Sequence, residues 1–175
     1  MFTPWVKGKT MVFIDASNIY HSQKRLGWHI NLKKLIKLLH VESDLCAVYY
    51  YTAYDFCNSK QKRFLDFLEI VGYRVRKKPI KFIRDNNIPN GGYHKGNLDI
   101  ELTLDAIDTM GRYQTAVIFS GDSDFEPLIQ YLKNHKKFCL VVSTKGHIAF
   151  ELIRQAKFID LKKFREKLEY KNFHP

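Results

Sequence analysis

The amino-acid sequence predicts an α/β protein, a three-layer α/β/α sandwich with a mainly parallel central sheet. Apolar runs of strand length alternate with longer amphipathic stretches, which is the pattern of a parallel sheet covered by helices on both faces. The chain has 175 residues and is 45% hydrophobic, which is enough for one substantial core and too little for two. We therefore expect a single domain over residues 1–175.

The short apolar runs are the predicted strands. They cover residues 10–15, 45–52, 74–83, 115–120 and 138–143. The predicted helices are the stretches whose apolar residues recur on one helical face. They cover residues 31–40, 59–71, 128–134, 147–155 and a final 160–170. Residues 85–96 are rich in Asn, Gly and Pro, and they are predicted to form a flexible loop insert or the tip of a hairpin.

The segment from residue 97 to residue 110 has two interpretations. Its leucines and isoleucines first alternate with polar residues, as in a half-buried strand. No glycine or proline interrupts it, however, and Leu, Ala and Asp outnumber the β-branched residues. Length and composition therefore favour a helix that begins near Asn97. Asp99 then lies in the first turn, where the helix dipole favours a negative charge.

Three short segments carry most of the predicted chemistry. They are VFIDASN at residues 12–18, KGNLD at 95–99 and VIFSGDSDF at 117–125. Asp15 and Asp122 stand where an apolar run ends, at the carboxyl ends of two predicted strands. Open α/β sheets form their active crevice at such ends. If the two strands are neighbours, their carboxylates converge.

Converging carboxylates predict a metal site. Like charges held close together raise one another's pKa, and a bound cation keeps them ionised. Oxygen-only ligands select a hard ion, Mg²⁺ or Mn²⁺, which often shares its coordination with a substrate phosphate. Such an ion orients or deprotonates a water molecule and stabilises charge on the phosphate oxygens.

The charge of the chain indicates the partner. There are 29 Lys and Arg against 18 Asp and Glu, a net charge of +11, and this positive field attracts nucleic acid. Phosphodiester hydrolysis is the simplest reaction that uses both the acidic site and the basic surface. Two alternatives stay open: a regulatory module that binds RNA without cutting it, and a phosphatase with Asp15 as nucleophile. The phosphatase chemistry expects a second Asp two residues later, where this chain has Ser17.

Other classes of protein lack support in the sequence. Three widely spaced cysteines without a C-x-x-C pair predict neither a disulfide framework nor a zinc knuckle, and they fit a reducing compartment. The histidines lack zinc-ligand spacing, and no glycine-rich nucleotide-binding motif is present. No apolar run approaches the ~20 residues of a membrane span, and the first residues lack the apolar run of a signal peptide. We expect a cytoplasmic protein with no membrane partner.

The candidate residues also have structural explanations. Asp15 would cap the following helix through the amide of Ser17 or Asn18. Lys95 would either present a cation to a phosphate or be an ordinary solvated loop residue. Glu101, Asp105 and Asp108 form an acidic stripe that is predicted to be a solvated helix face. Asp105 would alternatively lean toward the site.

Asp124 has the most complete structural explanation. As an N-cap it would place Pro127 in the first helical turn, where the missing N–H is harmless. Ser123 with Glu126 has the spacing of a capping box, which makes Glu126 a structural residue.

Several motifs together resemble a known family. They are FIDASNI at 13–19, KGNLDI at 95–100 followed by LDA at 104–106, SGDSDF at 120–125 and a weaker FIDL at 158–161. The combination resembles the NYN domain family, in its LabA-like branch, within the PIN-like nuclease superfamily. The resemblance spans residues 10 to about 164, which we expect to be the core of the domain, and SGDSDF is its most specific part.

The resemblance implies a PIN-like fold whose acidic cluster binds Mg²⁺ or Mn²⁺ and cuts RNA, either single-stranded or structured. The implied metal ligands and catalytic residues are Asp15, Asp99 and Asp122, with Asp124 as a fourth catalytic residue. The resemblance implies supporting polar residues at Asn18 and Ser120. From the residues themselves we also expect support from Ser17 and Asp105 and a substrate contact at Lys95.

The chain departs from the family pattern at two points. Many relatives carry Val where this chain has Asn97-Leu98 before Asp99, and the Asn-rich loop before Lys95 has no family motif. Neither departure removes an acidic residue. The sequence leaves open whether the chain forms a homodimer.

Overall fold

The computed structural model describes residues 2–84 and 92–171, with the backbone alone at residues 82–83 and 92–95. The strands are β1 (Lys9–Asp15), β2 (Asp44–Tyr54), β3 (Tyr73–Pro79), β4 (Lys81–Arg84), β5 (Gly92–Lys95), β6 (Thr115–Phe119), β7 (Phe138–Ser143) and β8 (Lys157–Asp160). The helices are α1 (Ala16–Leu26), α2 (Leu32–Glu42), α3 (Ser59–Ile70), α4 (Asp99–Asp108), α5 (Glu126–Asn134), α6 (Phe150–Gln155) and α7 (Arg165–Leu168). Short 3-10 turns cover Met110–Arg112, Ser123–Phe125 and Leu161–Phe164.

Over the described residues, the central sheet has six strands in the order β3-β2-β1-β6-β7-β8. Every neighbouring pair runs parallel. The chain moves outward from β1 through β2 and β3 on one side, and from β6 through β7 and β8 on the other. The strand order therefore reverses between β1 and β6, and this is where such sheets open a crevice beyond the strand ends. Ile14 is paired with Phe119, so these two strands end side by side.

Alternate residues of the four inner strands β2, β1, β6 and β7 enter two separate cores. Val12, Ile14 and Phe119 face one core, which is closed by apolar residues of α1, α2, α3 and α7. Phe13 and Ile118 face the other, which is closed by α4, α5 and α6. The sheet is thus covered by helices on both faces, and the predicted three-layer α/β fold with a parallel sheet is confirmed.

The predicted strand 74–83 is wrong as a single element. It divides at Ile80 into β3, an edge strand of the central sheet, and β4, which pairs antiparallel with β5. The prediction for residues 92–95, now β5, was a loop insert or hairpin tip; the antiparallel pair agrees with a hairpin, but the strand itself was not predicted. Both errors have one cause. β4 and β5 form strands because they pair with each other, and their local composition does not indicate a strand. The rest of the predicted loop, residues 85–91, lies outside the described residues.

The helix interpretation of residues 97–110 is confirmed, since α4 begins at Asp99. The predicted final helix is wrong in part: residues 157–160 form β8, and a 3-10 turn and the short α7 follow. A helix after Asp15 was expected from its capping position, but no range was predicted for α1, and β8 was not predicted at all. The inner face of α1 buries Asn18 and Ser22 beside Ile19, so it lacks a continuous apolar stripe. β8 has four residues and is a strand through its pairing with β7.

Among the described residues, no helix has the length and apolarity that crossing a membrane requires.

Candidate active site

Asp15 ends β1 and is the N-cap of α1. Its Oδ1 accepts a hydrogen bond from the Ser17 N–H at 2.9 Å, and its Oδ2 accepts one from the Ser120 hydroxyl at 3.3 Å. Burial raises the pKa of Asp15 to about 6; the Asn18 and Ser17 amides and the Ser120 hydroxyl lower it, while the charge of Asp99 raises it further. Asp15 therefore caps α1 and also presents its carboxylate at the end of β1.

Ser120 connects the ends of β1 and β6. Its side chain is fully buried. While the hydroxyl donates to Asp15, it accepts a hydrogen bond from the Asp122 N–H at 3.2 Å. One small polar side chain thus fixes the Asp15 carboxylate relative to the turn that carries Asp122.

Asp122, rather than Asp124, is the capping residue of the segment that follows β6. Its carboxylate accepts a hydrogen bond from the Asp124 N–H at 3.1 Å and caps the 3-10 turn Ser123–Phe125. The predicted capping roles of Asp124 and of Ser123 with Glu126 are wrong. α5 begins only at Glu126, and within the described chain no side-chain hydrogen bond caps it. The 3-10 turn therefore places Asp124 before the N-cap of α5, which is Phe125.

Three carboxylates converge in front of this turn. One oxygen each from Asp99, Asp122 and Asp124 lies within 4.8 Å of the others, and we call these residues the carboxylate trio. Burial raises the pKa of Asp99, and the Asn97 side chain lowers it. The nearby charges of Asp122 and Asp124 raise it further. Three carboxylate oxygens at this separation fit a hard divalent cation such as Mg²⁺ or Mn²⁺, whose charge offsets the repulsion between them.

Asp15 lies outside the trio, but it lines a cavity together with Asp99 and Asp122. This acidic cavity of about 150 Å³ is lined by residues that include Asp15, Ser17, Thr52, Gly96, Asp99 and Asp122. A Cβ on Gly96 would overlap the Cβ of Ala53 on β2. Glycine at this position therefore lets residues 96–98 pack close to β2 and sets the start of α4, with Asp99, at the cavity. The side chain of Lys95, the predicted substrate contact, lies outside the described part of the structure.

Asp105 occupies a different environment from Asp99, although both are on α4. Its carboxylate accepts hydrogen bonds from Arg76 Nε at 2.9 Å and from the Tyr51 hydroxyl at 3.0 Å. Glu101 forms a similar ion pair with Lys78 at 2.6 Å. Asp105 and Glu101 thus pair with basic residues of β3, whereas Asp99 at the helix start faces the cavity.

Asn18 connects α1 to the end of β7. It is 9% exposed, and its Oδ1 lies 3.3 Å from the Ser143 hydroxyl. That hydroxyl also lies 2.9 Å from the carbonyl oxygen of His147. Ser17, by contrast, is exposed at the rim of the acidic cavity. The two predicted supporting residues therefore differ, since one joins elements of the fold and the other faces solvent beside Asp15.

Residues 144–149, which connect β7 to α6, form a wall of the site that the sequence did not indicate. The Ala149 N–H donates to the Gly121 carbonyl at 2.8 Å, and the His147 N–H donates to the Thr144 carbonyl at 2.8 Å. A Cβ on Gly121 would overlap the His147 carbonyl oxygen. Glycine at this position therefore gives room for a neighbouring loop.

This loop and α1 enclose a second hollow on the other side of Asp15 and Asp122. Its volume is about 480 Å³, and its lining includes Asp15, Ser17, His21, Asp122, Gly146 and His147. We call it the histidine groove. The His21 and His147 ring centroids are 5.9 Å apart. Neither histidine stood out in the sequence, because they come together only through the fold.

Comparisons with known proteins agree with this architecture. The sequence model of the NYN domain family matches residues 9–162. The low amplitude and bright protein LabA of Synechococcus elongatus is 35% identical over 161 residues, covering 90% of this chain and 86% of that protein. A crystal structure of a Vibrio parahaemolyticus protein of unknown function is similar, with a TM-score of 0.72 at 23% identity, covering 89% of this chain and 93% of that one. At that identity the likeness concerns the fold alone.

Proposed function

The chain belongs to the NYN domain family, and from this membership and its acidic site we propose that it is a metal-dependent ribonuclease. The observation that carries the proposal is the carboxylate trio, whose oxygens lie within 4.8 Å of one another beside Asp15. NYN domains are related to PIN-like nucleases, and the net charge of +11 supports a polyanionic substrate.

We assign Asp99, Asp122 and Asp124 as the residues that hold Mg²⁺ or Mn²⁺. When bound, the cation supplies Lewis-acid stabilisation of phosphate charge and lowers the pKa of a bound water. The resemblance had implied Asp15 as the third ligand, but the geometry favours Asp124, because its oxygen is the one that lies beside those of Asp99 and Asp122.

Asp15 has a distinct part in the proposed reaction. It faces the acidic cavity from β1, with Oδ1 held by the Ser17 amide and Oδ2 by the Ser120 hydroxyl. A carboxylate fixed in this way can accept a hydrogen bond from the attacking water and orient it toward the phosphorus atom. We therefore assign Asp15 to positioning the nucleophile, and Ser120 to positioning Asp15.

The test is cleavage of single-stranded and hairpin RNA by the purified protein with Mg²⁺ or Mn²⁺. We expect Asp15→Asn and Asp122→Asn each to lower the rate at least ~100-fold, because the first weakens the positioning of the attacking water and the second removes a ligand of the cation. Asp108→Asn is the matched control, because this residue is exposed on α4 and makes the same charge change away from the cavity.

Two results would contradict the proposal. One is equal cleavage by wild type and both site variants, which would indicate a contaminating nuclease. The other is RNA binding that weakens steeply with salt but leads to no cleavage with either metal. That second result would favour the regulatory RNA-binding alternative.

A further inference from the structure

The acidic cavity and the histidine groove share Asp15, Ser17 and Asp122. A phosphate bound at the proposed metal site therefore has a hollow on either side of it. The acidic cavity also contains Asp99, whereas among the described lining residues of the histidine groove only the shared Asp15 and Asp122 are acidic. The groove is the side on which a polyanion meets less repulsion.

One wall of the groove is a face of α1. Ser17, His21 and Arg25 are spaced four residues apart, so they lie along one side of the helix. At 1.5 Å per residue, the stripe extends about 12 Å from the Asp15 end of the helix. His21 and Arg25 are both exposed. The stripe thus changes from a hydroxyl beside the carboxylates to an imidazole and then to a permanent cation.

The other wall is the segment of residues 144–149, which is fixed in place. Ser143 contacts the His147 carbonyl, and Ala149 is hydrogen bonded to Gly121. Gly146 has φ of +80°, and a Cβ there would lie 2.5 Å from Arg25 Nη2, so the guanidinium packs directly on this glycine. The groove is therefore an open hollow between two walls, and Arg25 lies against Gly146 at its border.

His21 and His147 place two aromatic rings in the lining of the groove. Burial lowers the pKa of His147, and the charges of His21 and Arg25 lower it further. A neutral imidazole is suited to stacking with a nucleobase and does not need a counterion.

We propose that the histidine groove binds the single-stranded RNA segment on one side of the cleaved phosphate, with Arg25 contacting a backbone phosphate and His21 and His147 facing a base. This assignment rests on the proposed ribonuclease function and adds the path of the substrate, along α1 away from Asp15.

The test is binding of a fluorescein-labelled single-stranded RNA, measured by fluorescence anisotropy with Mn²⁺ in an Asp99→Asn background that prevents turnover. Asp99 lines the acidic cavity and not the groove. We expect Arg25→Glu to weaken binding at least ~5-fold and to make the slope of log K against log salt shallower by about 0.7 for each lost phosphate contact. His21→Ala should weaken binding at least ~5-fold through lost stacking.

Lys24→Glu is the matched control. It makes the same charge change one residue from Arg25, where Lys24 lies over the Tyr20 ring at 4.4 Å instead of in the groove. Its effect should be less than half that of Arg25→Glu. All of these residues are exposed, so circular dichroism should show that every variant folds.

The outcomes separate this inference from the proposed function. If the wild type cuts RNA but Arg25→Glu and His21→Ala bind no more weakly than Lys24→Glu, the groove is not the substrate path. The groove assignment also fails if the protein does not bind single-stranded RNA. If binding depends on Arg25 and His21 but the wild type shows no cleavage, the groove assignment stands and the ribonuclease proposal fails.

Discussion

The Ser120 hydroxyl donates a hydrogen bond of 3.3 Å to the Asp15 carboxylate. The same oxygen accepts from the Asp122 N–H, so a single buried atom sets the relative position of two acidic residues from neighbouring strands. In the proposed reaction the rate depends on this arrangement, because the attacking water and the phosphate must be held in line.

Ser120→Ala should therefore lower kcat about tenfold, since a hydrogen bond to a charged group contributes roughly 1.5–3 kcal/mol. The free energy of unfolding should fall by about 1–3 kcal/mol because two partners are left unsatisfied. Ser22→Ala is the matched control: Ser22 is equally buried, and within the described residues its hydroxyl has no partner. Equal effects of the two substitutions on kcat would contradict a positioning role for Ser120.

Asp15 should make the metal-free protein less stable as the pH rises. Its pKa is about 6 in the folded chain against an ordinary value of 3.8. The folded state therefore binds the Asp15 proton more tightly than the unfolded state does. This contribution to stability is fully present below pH ~4 and is lost as the pH rises through 6.

Urea unfolding in EDTA, at pH 4.5 and pH 7.5, tests this effect. Asp15→Asn keeps an oxygen for the Ser17 amide but cannot ionise. We expect the variant to be more stable than the wild type at pH 7.5, by roughly 1–3 kcal/mol, and the difference to shrink at pH 4.5. A difference that does not change with pH would contradict the burial of this carboxylate.

Gly121→Ala should displace the loop of residues 144–149. The added Cβ overlaps the His147 carbonyl oxygen and lies close to Ile148, and both are backbone atoms that cannot rotate away. We expect a loss of about 1–3 kcal/mol in the free energy of unfolding. Gly111→Ala is the control, because a Cβ there meets nothing within 4 Å. If both variants melt at the wild-type temperature, the close approach at Gly121 is not a constraint.

The Asp105→Asn variant should show whether Asp105 serves only in its ion pair with Arg76 or also in catalysis. It weakens the contact with Arg76, whose side chain is 52% exposed, so we expect a loss of no more than about 1 kcal/mol. Cleavage should stay within about twofold of wild type, whereas Asp99→Asn on the same helix should abolish it. Arg76→Gln should reproduce the stability change. Loss of cleavage in Asp105→Asn without a matching loss in Arg76→Gln would place Asp105 in the site instead.

The fold was largely predictable because its strands are apolar and its sheet is parallel. β1, β6 and β7 are buried on both faces, so local composition was enough to find them. β4, β5 and β8 are four-residue strands that depend on a distant partner, and no local pattern marks them. The single-domain assignment stays a prediction.

The site was predictable only in part, for a similar reason. Asp15 and Asp122 stand at strand ends, and the sequence showed this directly. The meeting of Asp124 with Asp99 depends on one extra 3-10 turn before α5, where the sequence favoured a helix cap. His21 and His147 come close together where the loop of residues 144–149 packs against Gly121. No local sequence pattern indicates such a contact.

The most direct test of the central claim is the position of a divalent ion in crystals soaked with Mn²⁺, located by anomalous scattering. We predict a peak bound by oxygens of Asp99, Asp122 and Asp124 at about 2.1 Å, and its loss in Asp122→Asn crystals treated in the same way. A peak elsewhere in the protein, or an undiminished peak in the Asp122→Asn crystals, would contradict the assignment of the carboxylate trio as the metal site.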